Sequence, residues 1–158
     1  MDIYLEDSNR NQINILDFKD KVLLIVNVAS LCDHTHQYSQ LVELKNRISN
    51  TEFEILAFPC NQFNEQEPHS IEEIRLFCDT KYNINFPLFN KVDVLGENQH
   101  PLYKYLLAHT PCNFKVNEVK WNFTKFLMDR GLKPIKRFNP SDQPLDLLGE
   151  INHYLVQR

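Results

Sequence analysis

The strongest constraint on the fold is the run from Val22 to Ala29, in which every side chain except that of Asn27 is apolar. The run is rich in β-branched residues, which favour extended backbone. A strand that is apolar on both faces is buried on both faces, so it belongs at the centre of a covered sheet. The run therefore predicts a sheet with helices packed against it.

Helical and extended patterns alternate along the rest of the chain. Ser70 followed by Glu73 is a capping-box pattern, which marks the start of a helix. The predicted elements are a hairpin of residues 3–5 and 12–16, a strand at 22–29, a helix beginning near Thr35, a strand at 53–58, a helix from Ser70 to about Tyr82, a short strand at 87–93, a helix from Pro101 to about His109, strands at 123–129 and 133–139, and a C-terminal helix after Pro144.

A β-α-β unit followed by a late hairpin and a closing helix predicts a thioredoxin-like α/β fold. We expect one domain over residues 1–158, with a central mixed sheet flanked by helices and an N-terminal hairpin. In this fold the loop after the first central strand leads into a helix, and Cys32 lies in that loop. Such a cysteine could be a nucleophile, half of a disulfide, a metal ligand or a small buried side chain.

Composition excludes several functional classes. The net charge is −4 and no basic block is present, so we expect no nucleic-acid partner. The acidic N-terminus has no apolar core and no run is long enough to span a membrane, so we expect a cytoplasmic protein. The four cysteines form no C-x-x-C pair, and in a reducing compartment they begin as thiols.

Several long motifs resemble those of the glutathione peroxidase family, from about residue 2 to the C-terminus. They are KVLLIVNVAS-x-C at 21–32, FPCNQF at 58–63, QEP at 66–68, HPLYKYL at 100–106, KWNFTKFL at 120–127 and KRFNP at 136–140. The resemblance implies a peroxidase that reduces hydrogen peroxide and organic or lipid hydroperoxides and requires no cofactor.

The resemblance also implies a catalytic tetrad of Cys32, Gln62, Trp121 and Asn122. Reduction of a peroxide requires a thiolate to attack one oxygen while the other leaves with negative charge. Side-chain amides and an indole N–H are neutral donors that stabilise such charge. The product of the attack is a sulfenic acid on Cys32, the reversible first stage of cysteine oxidation.

Cys78 matches the resolving cysteine of the thioredoxin-dependent members, which implies a Cys32–Cys78 disulfide. Its position on the same predicted helix face as Ile71 and Ile74 indicates a buried thiol. Cys78 can be both buried and the resolving cysteine if the helix opens during the reaction. Cys60 is interpreted as a packed residue, and Cys112 as a residue without a role in the reaction.

The span between Leu107 and Lys120 is short. The resemblance then implies a monomer that uses thioredoxin rather than glutathione as its reductant. Four basic residues suggest peripheral contact with anionic lipid, although dispersed cations are more often simply solvated: Lys120, Lys125, Lys136 and Arg137.

The chain departs from the usual family pattern around the nucleophile. Leu31 replaces a lysine, and Asp33 places an acidic residue beside Cys32, which disfavours a thiolate. The chain has only three glycines, so Asn and Asp must occupy left-handed backbone positions. We expect positive φ in at least two of four residues that replace family glycines: Asp20, Asp33, Asn64 and Asn83.

Two alternatives remain open from the sequence. Cys32, His34 and His36 could bind a metal in a thioredoxin-fold chaperone, although their spacing suits a loop poorly. A hydroperoxide sensor that passes a disulfide to a partner would use the same cysteine chemistry as a scavenging peroxidase.

Overall fold

Val22–Val28 forms the central strand, and all of its residues are buried. The computed structural model describes residues 1–48 and 51–157. Its elements are β1 (Tyr4–Glu6), β2 (Gln12–Asn14), a 3₁₀ turn (Ile15–Phe18), β3 (Val22–Val28), α1 (Gln37–Arg47), β4 (Phe53–Pro59), α2 (Ile71–Phe77), a π-helical segment (Cys78–Tyr82), α3 (Pro101–His109), β5 (Lys125–Met128), β6 (Pro134–Phe138), a 3₁₀ turn (Pro144–Leu147) and α4 (Leu148–Val156).

The main sheet has the strand order β4-β3-β5-β6. β3 pairs with β4 in parallel and with β5 antiparallel, and β5 pairs antiparallel with β6. β1 and β2 form a separate antiparallel hairpin. The predicted thioredoxin-like arrangement, with its mixed sheet and N-terminal hairpin, is confirmed.

Alternate side chains of β3 enter two different cores, as strand geometry requires. Val22, Leu24, Val26 and Val28 pack with apolar residues of α1, α2 and α4. Leu23 and Ile25 pack on the other face with α3 and the N-terminal hairpin. Cys32 and Cys78 both belong to the first of these cores.

The expected strand at 87–93 is wrong. Leu88 and Phe89 form only isolated bridges, to Ala57 and Asp7 respectively. The reason lies in the backbone hydrogen bonds that follow, because Asn90 donates to the carbonyl of Glu6 while Val92 donates to that of Pro59. The segment divides its hydrogen bonds between two neighbours and cannot form a regular ladder with either.

The helix expected from Ser70 to about Tyr82 is confirmed, including its capping box with Glu73. From Cys78 onward its hydrogen bonding changes to the π type, and Asn83 in the left-handed region ends it. Short π segments are rare and are frequently found at functional sites. No helix in the part of the chain that the structure describes is long and apolar enough to cross a membrane.

Asp20, Asn64 and Asn83 have positive φ, which confirms the expectation from the low glycine content; Asp33 does not. Phe123 and Leu132 also have positive φ. These two were not expected, because bulky side chains rarely adopt this conformation without support from surrounding structure.

Candidate active site

Cys32 lies in a tight turn between the end of β3 and the start of α1, and 7% of its surface is exposed. The backbone N–H of His34 donates to the Cys32 sulfur over 3.3 Å. Thr35 fixes the turn, because its hydroxyl accepts from the Cys32 N–H at 2.9 Å and donates to the Ala29 carbonyl at 2.8 Å. The turn therefore holds a backbone amide donor against the sulfur of a buried cysteine.

Trp121 and Asn122 are held beside β3 by Asn27, the polar residue in the apolar run. The Asn27 side-chain amide donates to the Trp121 carbonyl at 3.1 Å, and the Phe123 N–H donates to the Asn27 carbonyl at 2.6 Å. Phe123 has a φ of 62°. Asn27 thus supports the sharp bend that presents the predicted tryptophan and asparagine.

Asn122 contacts Gln66, a residue that the sequence interpretation missed. Its side-chain nitrogen donates to Gln66 Oε1 over 2.9 Å. The Gln66 carbonyl accepts a hydrogen bond from the backbone N–H of Leu31 over 3.0 Å. Leu31 directly precedes Cys32. Gln66 therefore joins the loop of the nucleophile to fully buried Asn122.

Gln62, the expected glutamine of the tetrad, is engaged elsewhere. Its Oε1 accepts from the amides of Val94 and Leu95 at 2.7 and 3.1 Å, and its Nε2 donates to the Leu95 carbonyl at 2.8 Å. Both ends of the side chain thus bind the backbone of one loop. The Gln62 side chain is thus engaged by the backbone of residues 94 and 95, whereas Gln66 contacts Asn122 and the loop of Cys32.

Trp121 is partly buried and packs against both cores. Its ring lies 5.7 Å from that of Phe63, centroid to centroid. Among residues 1–48 and 51–157, no acceptor is found for its indole N–H or for the Gln66 side-chain nitrogen.

The expected burial of Cys78 is confirmed, since its exposure is 0%. Burial raises the pKa of its thiol to about 11. Cys32 and Cys78 are both free thiols in the structure. Cys60 is buried as expected, and burial raises the pKa of its thiol, whereas Cys112 is partly exposed.

The histidines beside Cys32 do not form a metal site. His36 Nδ1 lies 2.8 Å from the Asp33 carbonyl oxygen. No group of three or more histidine, cysteine or acidic side chains within the described ranges is arranged to hold an ion. Burial, aided by nearby Lys125, lowers the pKa of His34, which disfavours its positively charged form.

Lys125 is fully buried, which corrects its interpretation as part of a lipid-binding surface. Its ammonium group donates to the carbonyls of Asn139, Pro140 and Asp142 at 3.4, 3.0 and 2.7 Å. Burial lowers its pKa to about 8. The sequence signal for this burial was the position of Lys125 within a predicted strand among apolar residues.

The other expected lipid-contact residues do not form a free cationic surface. Lys120 pairs with Glu118 and Lys136 with Glu150, at 3.4 and 2.7 Å. Arg137 is partly buried and donates to the Glu118 carbonyl at 3.0 Å. Peripheral lipid contact thus gains no support from these positions.

Comparison with known proteins gives concordant results. Residues 1–107 match the family described as glutathione peroxidase. The chain is 46% identical over 148 residues to the hydroperoxy fatty acid reductase of Synechocystis, covering 90% of this chain and 88% of the relative. It is also 46% identical over 140 residues to the glutathione peroxidase homolog BsaA of Bacillus subtilis, covering 89% and 88%.

Solved structures agree with the sequence comparisons. The crystal structure of Trgpx in apo form superimposes with a TM-score of 0.81 at 33% identity, covering 98% of this chain and 94% of that one. A thioredoxin-family thiol:disulfide interchange protein from Chlorobium tepidum gives a TM-score of 0.69 at 10% identity. The second likeness concerns the fold alone.

Proposed function

Because the chain belongs to the glutathione peroxidase family and is a peroxidase, we propose that Cys32 attacks the substrate hydroperoxide. The observation that carries this proposal is the amide of His34 donating to the Cys32 sulfur, within a loop tied to Gln66 and Asn122. The thiolate attacks one peroxide oxygen and the O–O bond breaks. The cysteine becomes a sulfenic acid, and the other oxygen leaves as an alcohol or water after taking up a proton.

Gln66, Asn122 and Trp121 stabilise the charge that moves from sulfur to the leaving oxygen. Asn122 occupies Gln66 Oε1, so the Gln66 amide is oriented with its N–H groups available for other acceptors. Neutral donors held in a buried site stabilise developing charge without reorganisation. This proposal replaces Gln62 with Gln66 in the tetrad and keeps Cys32, Trp121 and Asn122.

Cys78 resolves the sulfenic acid by forming a disulfide with Cys32 and releasing water. The Cys78 thiol is buried, so the segment around it must open. The change from α to π hydrogen bonding begins at Cys78 itself, and such a segment is a candidate for low-energy local opening.

We further propose that thioredoxin reduces the disulfide, with glutathione as the alternative donor, and that the protein acts as a monomer on hydrogen peroxide and organic or lipid hydroperoxides. Two relatives support the lipid-derived substrates, since their names specify hydroperoxy fatty acid and phospholipid hydroperoxide. A hydroperoxide sensor that relays its disulfide would use the same residues.

The test is peroxide-dependent NADPH consumption with two reducing systems in parallel. Thioredoxin with its reductase should support turnover at least about tenfold faster than glutathione with glutathione reductase. Faster turnover with glutathione would overturn the assignment of the reductant, and no turnover with either would favour a relay to a specific partner.

A further inference from the structure

Cys78 interacts with two polar side chains, Tyr38 and Glu67, that have no role in the reaction proposed above. All three residues of this cluster are fully buried, with 0% exposure. Ser30 borders the same cluster. In the described parts of the chain, the Ser30 hydroxyl, the Tyr38 hydroxyl and both Glu67 carboxyl oxygens lack a well-formed hydrogen bond.

Glu67 interacts with residues of both cysteine segments. On one side it interacts with Ser30, two residues before Cys32, and its neighbour Gln66 binds the Leu31 amide. On the other side its charge acts on both Tyr38 and Cys78. A thiol that moves from the helix to Cys32 starts within the range of this carboxyl group.

A buried carboxyl group without strong partners is costly and calls for an explanation. Burial raises the pKa of Glu67, and Ser30, Lys91 and His69 oppose that rise. Burial raises the pKa of the Cys78 thiol and the charge of Glu67 adds to that rise, so a thiolate is disfavoured in the resting protein. The resolving thiol therefore needs a proton acceptor when it reacts.

We propose that Glu67 accepts the Cys78 proton during formation of the Cys32–Cys78 disulfide, with the Tyr38 hydroxyl as a positioning group for the thiol. This inference rests on the proposed resolving role of Cys78. The Cys78 sulfur bonds to the Cys32 sulfur, the S–O bond of the sulfenic acid breaks, and the hydroxide takes a proton and leaves as water. Glu67 holds the thiol proton meanwhile and returns it to the leaving oxygen or to solvent.

Charge balance supports Glu67 as the acceptor. When the proton moves from Cys78 to Glu67, the buried cluster keeps a single negative charge, so no second buried anion is created. The Tyr38 hydroxyl interacts with the Cys78 thiol, although not as a well-formed hydrogen bond in the resting state. The titratable groups that also face the cluster are Arg75, Asp79 and Tyr82 on the helical segment and Lys91 and His69 beside Glu67.

The test follows a single turnover by the fluorescence of Trp121, the only tryptophan. Glu67→Gln is expected to leave the peroxide-dependent phase within about twofold of wild type and to slow the later, peroxide-independent phase about 100-fold. Quenched samples mapped by mass spectrometry should show accumulation of the Cys32 sulfenic acid. Glu72→Gln, which removes an exposed carboxyl group of α2, is the matched control and should leave both phases unchanged.

A purely electrostatic role for Glu67 predicts the opposite result. Removing its charge would then favour the Cys78 thiolate and accelerate disulfide formation, so a slow phase that is unchanged or faster in Glu67→Gln overturns the proposal. Tyr38→Phe keeps the ring and should slow the same phase by about tenfold. If Glu67→Gln does not fold, the pH dependence of the slow phase in the wild-type protein provides the test. The rate of that phase should rise with pH as a carboxyl group titrates, well below the pKa of the thiol. Absence of that rise overturns the proposal.

Failure of the underlying function has a different signature. If wild-type protein consumes peroxide but never forms the Cys32–Cys78 disulfide, the resolving role falls, and the role of Glu67 falls with it. If the disulfide forms at the wild-type rate in Glu67→Gln, only the role of Glu67 is overturned.

Discussion

Asn122 donates its side-chain amide to Gln66 Oε1 across 2.9 Å, and this bond connects two separate motifs of the sequence. The same Gln66 accepts from Leu31 through its carbonyl. One glutamine thereby fixes the distance between the loop of Cys32 and the bend that carries Trp121 and Asn122.

Gln66 and Gln62 should respond differently to truncation. Gln66→Ala is expected to lower the second-order rate constant for peroxide about 100-fold, because it removes a donor to developing charge. Gln62→Ala should leave that constant nearly unchanged and destabilise the fold by about 1–3 kcal/mol, because the amides of Val94 and Leu95 lose their acceptor. Stopped-flow kinetics and urea unfolding measure the two effects, and the reverse pattern would restore Gln62 to the site.

Cys32→Ser should abolish peroxide turnover, because a hydroxyl is not appreciably ionised at neutral pH. Cys112→Ser is the matched control and should retain full activity, since Cys112 lies outside the described site. The coupled NADPH assay compares the two variants. Activity of Cys32→Ser within about tenfold of wild type would refute the assignment of the nucleophile.

Cys78→Ser should consume one equivalent of peroxide and then stop turning over with thioredoxin. Without a resolving thiol, the sulfenic acid persists, and only a slower reaction with a second equivalent of peroxide converts it to the sulfinic acid. Peptide mass mapping of wild-type protein after stoichiometric peroxide should show a Cys32–Cys78 disulfide, accompanied by loss of helical signal from residues 71–82. A Cys32–Cys60 or intermolecular linkage would assign the resolving role to another thiol.

Lys125 should make stability depend on pH in alkaline solution. Burial lowers its pKa from 10.5 to about 8, so between these values the folded protein has released a proton that the unfolded chain still binds. Unfolding then takes up a proton, so a rise in pH disfavours unfolding and stabilises the folded protein. Relative to Lys125→Met, wild type should gain up to about 3 kcal/mol of unfolding free energy across this range.

Urea unfolding under reducing conditions at several pH values tests the Lys125 prediction. The difference between wild type and Lys125→Met removes the contribution of other groups that titrate in both proteins. A constant difference from neutral to strongly alkaline pH would show that the lysine ionises as an exposed one does.

The sequence predicted the sheet well because burial on both faces leaves β3 few alternatives. The sequence could propose Cys32, Trp121 and Asn122 for the site because their motifs are long. It could not distinguish Gln62 from Gln66, since both lie in one polar loop whose path depends on the consecutive left-handed residues Asn64 and Glu65. In the structure it is Gln66 that bonds to Asn122.

Two other features depend on tertiary context. Lys125 lies in a strand whose alternation places it inward, and only the loop carbonyls of residues 139–142 make that burial tolerable. The segment 87–93 has the composition of a strand, but its backbone hydrogen bonds are divided between β4 and the N-terminal hairpin.

The strand order also has a consequence for biosynthesis. β3 is made early, yet its second hydrogen-bonded neighbour, Lys125–Met128, comes from the last third of the chain. Until that segment leaves the ribosome, the nascent polypeptide presents an apolar strand with one unpaired edge, which is a template for aggregation. Ribosome-associated chaperones should therefore bind the growing chain from the emergence of β3 until β5 is available, and release it when the sheet closes.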